Sequence, residues 1–412
     1  MSRNDGTPGV NLGGVTAIIL FCLVLLGFVI ETQLTQYVQT SLEFRQPYFI
    51  FYVVHSFFTI MFPTHFLYLT LTSKYSPRAI WNGLMYALRI HFPSASHGPL
   101  HAAFPRWKLL RLVLFLTAGM TVPSVCWFSA VSLSPLTDVT ALWNTNAFFT
   151  YVVAVKMFKL EWEKRRLAAV ILATAGAMAV VYGGSTSPDA SEPSHTTTTS
   201  THLPKITAGH SKALLGDILT LIAAILYGVY QVLYKVHASL PTDPDADLEG
   251  IDAPVSALYE PIADEVSDED VHVRTSSISE DDMVYPPPFA LYPNMLTSAI
   301  GICTLLILWI PIPILHVTGV REFHLPSDPR AIGAILGIAL SGVMFNAGFM
   351  ILLGVWGPIL TSIGGLLTIV LVFLSDIIFG GAVETITIWS LIGCGSIVVA
   401  FGILVYDMSK RS

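Results

Sequence analysis

A chain of 412 residues that is 53% hydrophobic and only 12% charged is no ordinary soluble domain, where about a quarter of the residues carry charge. Its mean hydropathy of +0.65 leaves surplus apolar surface that must face lipid. A net charge of −7 offers no basic face, and no nucleic-acid partner is expected.

Ten apolar stretches follow in chain order, at 13–30, 47–71, 107–131, 138–158, 167–183, 214–234, 288–317, 331–353, 359–380 and 385–406. Each is roughly 17–30 residues long, enough for a helix to cross the bilayer. None shows the alternation of a barrel strand, so each reads as a helix. The first reads as an uncleaved membrane helix and not as a signal peptide, because only Arg3 precedes it and no small-residue cleavage site follows.

The stretches fall into two groups of five, a first repeat at 1–183 and a second at 212–412. Ser134-Pro135 opens the fourth stretch and Gly357-Pro358 the ninth. A shift of 223 residues lays Pro135 on Pro358 and Glu161 on Glu384. Five spans per half is an odd number, so the halves insert in opposite orientations, with a solute site near the midplane between them. The expected fold is an all-α polytopic membrane protein of ten transmembrane helices in a 5+5 inverted repeat. With both termini cytosolic, 16 of the 21 Lys and Arg fall on the inner side, which sets that orientation.

Two polar stretches interrupt the pattern. Residues 184–211 form a lumenal Ser/Thr-rich linker, suited to a flexible tether or to O-glycosylation. Residues 237–287 hold fourteen of the 28 acidic residues and read as a disordered cytosolic loop. Ser267-Asp268-Glu269-Asp270 and Ser279-Glu280-Asp281-Asp282 fit acidic-directed kinase sites, and Tyr259-Glu260-Pro261-Ile262 fits a sorting signal read by a trafficking adaptor. A bare linker is the other reading. Cys22, Cys126, Cys303 and Cys394 all fall within apolar stretches and read as packing residues. His91, His97 and His101 lack the tighter, cysteine-assisted spacing of a zinc site, and no metal or cofactor is expected. Between the second and third stretches, Ile80, Trp81, Leu84, Met85 and Leu88 recur at helical spacing beside Arg78 and Arg89, as in a helix lying at the cytosolic interface.

Polar side chains inside lipid need an internal partner or a watery cavity. The fourth stretch carries Thr140, Trp143, Asn144, Thr145 and Asn146, and the ninth carries Thr361, Ser362 and Thr368. The sixth carries Tyr227, Tyr230 and Gln231, and the eighth Ser341 and Asn346. Substrate contacts are expected at Trp143, Asn144, Thr145, Asn146, Tyr227, Tyr230, Gln231, Asn346, Thr361, Ser362 and Thr368. Interhelical hydrogen bonding is the competing role for each. Asp376, set among Leu371, Phe373, Leu374 and Ile377, is the candidate for a coupling proton. Asp138 and Asp217 read as helix-start residues that complement the dipole, and Glu31 as an interfacial residue ending the first span.

Gln33-Leu34-Thr35-Gln36-Tyr37 with Gln46-Pro47-Tyr48-Phe49 resembles the first-helix region of the drug/metabolite transporter (EamA-like) superfamily. More narrowly it resembles the F branch of the nucleotide-sugar-transporter-like solute carriers and related fungal vacuolar membrane proteins. The stretches from Asp138 to Thr145, Gly216 to Leu219, Tyr227 to Lys235 and Gly357 to Asp376 fit as well. The resemblance implies a bundle with a central cavity, alternating access and an endomembrane location, vacuole or Golgi. The function expected is secondary transport of a small polar organic solute. The alternative is a membrane receptor or scaffold acting through the acidic loop. No Gly-x-x-x-x-Gly-Lys-Ser/Thr motif serves an ATP-driven pump, and no Ser/His/Asp or His-x-x-Glu-His pattern serves an enzyme.

Overall fold

A computed structural model describes residues 14–92, 104–134, 136–160, 162–183, 207–240, 287–380 and 387–411. Every regular element among them is helical. Among the described residues seven helical segments are long and apolar enough to cross a membrane: Val15–Ser41, Pro47–Thr72, Arg106–Val131, Lys212–Ala238, Leu291–Val317, Pro329–Gly365 and Ile388–Tyr406. Exposed Val15, Leu71, Leu306 and Ile388 belong to the apolar outer surface, as in an integral membrane protein.

Helix α1 (Gly14–Gln36) runs on through a π-helical turn at Tyr37–Ser41. The first span therefore ends ten residues beyond Glu31, about 15 Å along the axis, and the expectation that Glu31 sits at the interface is corrected. The second span is α2 (Pro47–Ser56), a tighter turn at Phe57–Ile60, and α3 (Met61–Thr72). Pro63 has no N–H for the carbonyl of Thr59, four residues back. Ser298 of α10 (Leu291–Ile307) closes the gap: its hydroxyl accepts from the Phe62 N–H at 2.7 Å and lies 3.0 and 3.2 Å from the carbonyl oxygens of Phe58 and Thr59. Helix α4 (Pro77–His91) is capped by the Ser76 hydroxyl and buries Ile80, Gly83, Leu84 and Leu88 against protein. Trp81 lies on its exposed side within ring contact of Phe62 and Phe66.

Helix α5 (Arg106–Val131) is followed by α6 (Leu136–Asn144) and α7 (Asn146–Met157), so the fourth predicted span breaks at Thr145. Helix α8 is Lys164–Gly183. Helix α9 (Thr207–Ala238) starts inside the stretch read as a linker. Asp217 is thus nearly three turns in, beyond reach of the N-terminal dipole. It accepts from Ser134 Oγ at 2.5 Å, which replaces the helix-start reading.

After α10 comes the short α11 (Pro311–Val317), then α12 (Pro329–Gly365), α13 (Leu367–Gly380) and α14 (Ile388–Arg411). Within α12 the helical path breaks at Gly357, whose φ of 73° and ψ of 169° suit glycine alone. Pro358 leaves the Gly354 carbonyl without its helical donor, and Lys235 Nζ from α9 donates to it at 2.8 Å.

The main packing pairs are α8 with α14, α1 with α12, α5 with α9, and the second span with α10. At the α8–α14 crossing Gly176 and Gly393 face each other, and a methyl on either would lie within 2.8 Å of the other's carbonyl oxygen. Among the described residues the four cysteines are free thiols, Cys22 exposed and the other three half-buried.

Candidate functional site

Two cavities lie in the middle of the bundle. The first, about 30 Å³, is lined by α1 (Phe21, Val24, Leu25, Phe28), α6 and α7 (Trp143, Asn144, Asn146), α9 (Tyr227), α12 (Phe345, Phe349, Leu352, Thr361, Ser362) and Thr368 of α13. The second, about 40 Å³, is lined by Phe28, Glu31, His55, Ser124, Trp127, Phe128, Trp143, Tyr227, Phe345 and Asn346. Each has room for only a few waters.

Phe28, Trp143, Tyr227 and Phe345 line both cavities. They belong to a closed circuit of six rings. Phe28 meets Trp127 at a centroid distance of 6.4 Å, Trp127 meets Trp143 at 6.4 Å, and Trp143 meets Tyr227 at 4.9 Å. Tyr227 meets Phe349 at 5.8 Å, Phe349 meets Phe345 at 5.6 Å, and Phe345 returns to Phe28 at 4.8 Å. The circuit draws rings from α1, α5, α6, α9 and α12, and four of its six rings are shared by the two spaces.

The polar groups of the first cavity are tied back to their own backbone. Asn144 Nδ2 donates to the Thr140 carbonyl at 2.6 Å and Asn146 Nδ2 to the Trp143 carbonyl at 2.7 Å. Thr361, Ser362 and Thr368 donate their hydroxyl protons to the carbonyls of Leu352, Ile359 and Gly365. The Asn144 amide oxygen, the hydroxyl lone pairs and the unpartnered Tyr227 hydroxyl remain to meet a solute. Asn346, which lines the second cavity, likewise gives Nδ2 to the Gly342 carbonyl at 2.9 Å.

Of the predicted contacts, Trp143, Asn144, Asn146, Tyr227, Asn346, Thr361, Ser362 and Thr368 come together around these spaces. Three do not line either one. Thr145 donates to the Leu142 carbonyl at the α6–α7 break, Tyr230 to Met350 Sδ, and Gln231 Nε2 to Asn146 Oδ1 at 3.3 Å. The Asp376 side chain, Pro135, Glu161, Glu384, His97, His101 and the kinase and sorting motifs lie outside the described residues.

From sequence, Glu31 had an interfacial place and His55 no role, yet both are buried in the second cavity's wall. A signal was available. Glu31, Thr35 and Gln39 recur every four residues, a polar stripe that all points inward, so the helix continues past its last purely apolar turn.

No family model and no curated protein matches the chain. One solved structure, described only as "Crystal structure of protein", shares the fold with a TM-score of 0.51 at 11% identity, over 95% of this chain and 96% of that one.

Proposed function

We propose that the chain is a secondary transporter that moves a small polar organic solute across an endomembrane, vacuolar or Golgi, by alternating access. The observation that carries this reading is the pair of central cavities meeting at the aromatic circuit. A carrier needs two half-sites exposed in turn, and rings drawn from five helices form a barrier that helix movement would part.

The packing pairs support a 5+5 inverted repeat. Adding 136–157, 164–183 and 358–380 to the seven long apolar segments gives ten spans. Exchanging the halves then maps neighbours onto neighbours. The first span packs on the eighth as the sixth packs on the third, and the second packs on the eighth as the seventh packs on the third. The second with the seventh, and the fifth with the tenth, are their own images. The Lys and Arg bias supports cytosolic termini, and the resemblance to the drug/metabolite transporter superfamily fits the same architecture.

In this reading Trp143, Asn144, Asn146, Tyr227, Thr361, Ser362, Thr368 and Asn346 contact the solute. Replacing both Asn144 and Asn146 by alanine should abolish uptake into proteoliposomes while expression and folding persist. Unchanged flux would remove those residues from the site. Deleting 241–286 should leave flux intact, whereas loss of all activity would favour the receptor or scaffold.

A further inference from the structure

Glu31 is 5% exposed, His55 3% and Tyr227 5%, and all three line the second cavity. Each keeps one polar atom without a hydrogen-bond partner: Glu31 Oε2, His55 Nε2 and the Tyr227 hydroxyl. A buried polar group left in that state costs free energy, so its persistence points to a ligand. The chemistry of the orphans is uneven. His55 Nδ1 lies 3.1 Å from the Phe51 carbonyl, a contact that requires the proton on Nδ1 and leaves Nε2 as a lone pair. The Glu31 carboxylate is an acceptor, and the Asn346 amide gives one N–H to Gly342 and keeps its oxygen and its second N–H. Two of the three orphans, Glu31 Oε2 and His55 Nε2, are therefore acceptor positions, and the Tyr227 hydroxyl can accept as well as donate. Among the described residues no Lys or Arg lines either cavity.

The walls have the matching character. Phe28 is one helical turn before Glu31, and Trp127, Trp143, Tyr227 and Phe345 complete the lining around it. Aromatic faces carry negative quadrupole potential and attract a cation that has been stripped of water. On α12, glycine at 342 makes room for the carboxylate: a methyl there would come 3.2 Å from Glu31 Oε1 and 2.7 Å from Val54 Cγ1. Depth agrees as well. Glu31 is ten residues from the end of the first span and His55 eight from the start of the second, so both sit about 12–15 Å from one face, near mid-bilayer.

We infer that the Glu31 cavity, opened by parting of the aromatic circuit, is the binding site for an organic monocation, a protonated or quaternary amine or a cationic heteroaromatic ring. The carboxylate supplies the countercharge and the rings supply the cage. This deepens the transporter reading and rests on it for the claim that the cation is carried. Anionic solutes such as nucleotides are excluded by the same wall.

The test uses the full chain in lipid nanodiscs, with tryptophan fluorescence as the readout because Trp127 and Trp143 lie in the circuit. The probes are choline, its neutral isostere 3,3-dimethylbutanol, N-methylpyridinium and uridine monophosphate. Saturable binding of the cations is expected, with the neutral isostere at least tenfold weaker and the nucleotide silent. Glu31→Gln should weaken the cations at least tenfold and leave the isostere unchanged, while Tyr230→Phe, outside both cavities, should change nothing. Equal binding of choline and its isostere, undiminished cation binding in Glu31→Gln, or silence from both cations in folded protein would each overturn the inference. The first and last comparisons use the wild-type chain, so they hold even where Glu31→Gln does not fold. Charge-selective binding without proteoliposome uptake would keep the site and sink the carrier. Uptake of a neutral or anionic solute that ignores Glu31→Gln would keep the carrier and sink the cation site.

Discussion

Replacing Gly393 by alanine tests whether α8 and α14 are held at backbone contact. The added methyl would lie 2.5 Å from the Gly176 carbonyl oxygen, 2.6 Å from Val180 Cγ2 and 2.9 Å from the Val180 nitrogen. Two of those atoms are backbone, so no rotamer change relieves the clash. Ordinary contact begins at 3.4 Å, and the helices must part by about 0.9 Å at the crossing. A gap of that size forfeits roughly a quarter to a half of the dispersion attraction of the atoms involved, and overpacking of this kind costs about 1–3 kcal/mol. Gly395 supplies the control, because it is on the same helix with nothing within 4 Å of its added methyl. Gly395→Ala should be neutral or gain up to about 1 kcal/mol from helix propensity. Unfolding can be followed with a thiol-reactive fluorophore, since half-buried Cys126, Cys303 and Cys394 become accessible as the bundle opens. Gly393→Ala should melt on the order of a few °C below wild type. The double variant Gly176→Ala, Gly393→Ala should cost less than the sum of its parts, because one separation relieves both clashes. Melting of Gly393→Ala at or above wild type would refute the close crossing.

Two further outcomes are expected. Lys235→Met removes the charged donor to the Gly354 carbonyl and should lower stability by about 1.5–3 kcal/mol, with Lys235→Arg retaining part of it; an unchanged melting temperature would mean the carbonyl finds another donor. Burial pushes the His91 imidazole below its ordinary range, opposed in part by its bond to the His237 carbonyl. A folded value below the unfolded one of about 6.5 gives stability that is full above that pH and declines as pH falls toward the folded value. His91→Gln should therefore flatten part of the fall in melting temperature below about pH 6.5, and an identical slope would remove His91 from the account.

The apolar stretches were legible because lipid imposes length and hydrophobicity on each helix, and Trp143, Asn144 and Asn146 stood out as polar groups in apolar surroundings. Boundaries were less legible where polarity faces inward. Glu31 looked like an interface, although the chain remains helical through Ser41, with Glu31, Thr35 and Gln39 packed against protein and not lipid. The helix at α4 was legible from its spacing, but an amphipathic face does not say whether lipid or protein covers it, and Ile80, Leu84 and Leu88 are buried against protein. The aromatic circuit was hidden altogether. Its six rings come from five helices, and only tertiary packing brings Phe28 to Phe345 or Trp127 to Trp143. His55 was hidden likewise, since the cavity it faces is walled mostly by residues of other helices.

The two proline sites have unlike histories during synthesis. Lys235 is made 119 residues before the Gly354 carbonyl it serves, so that kink enters the membrane with its donor already in place. The second span is made in the reverse order, since Ser298 follows Phe62 by 236 residues. At about 5–20 residues per second the ribosome takes roughly 12–50 seconds to supply it. Through that interval the nascent second span carries unsatisfied backbone groups, each costing several kcal/mol in hydrocarbon. A chain that ends before residue 298 lacks the hydroxyl that closes this gap.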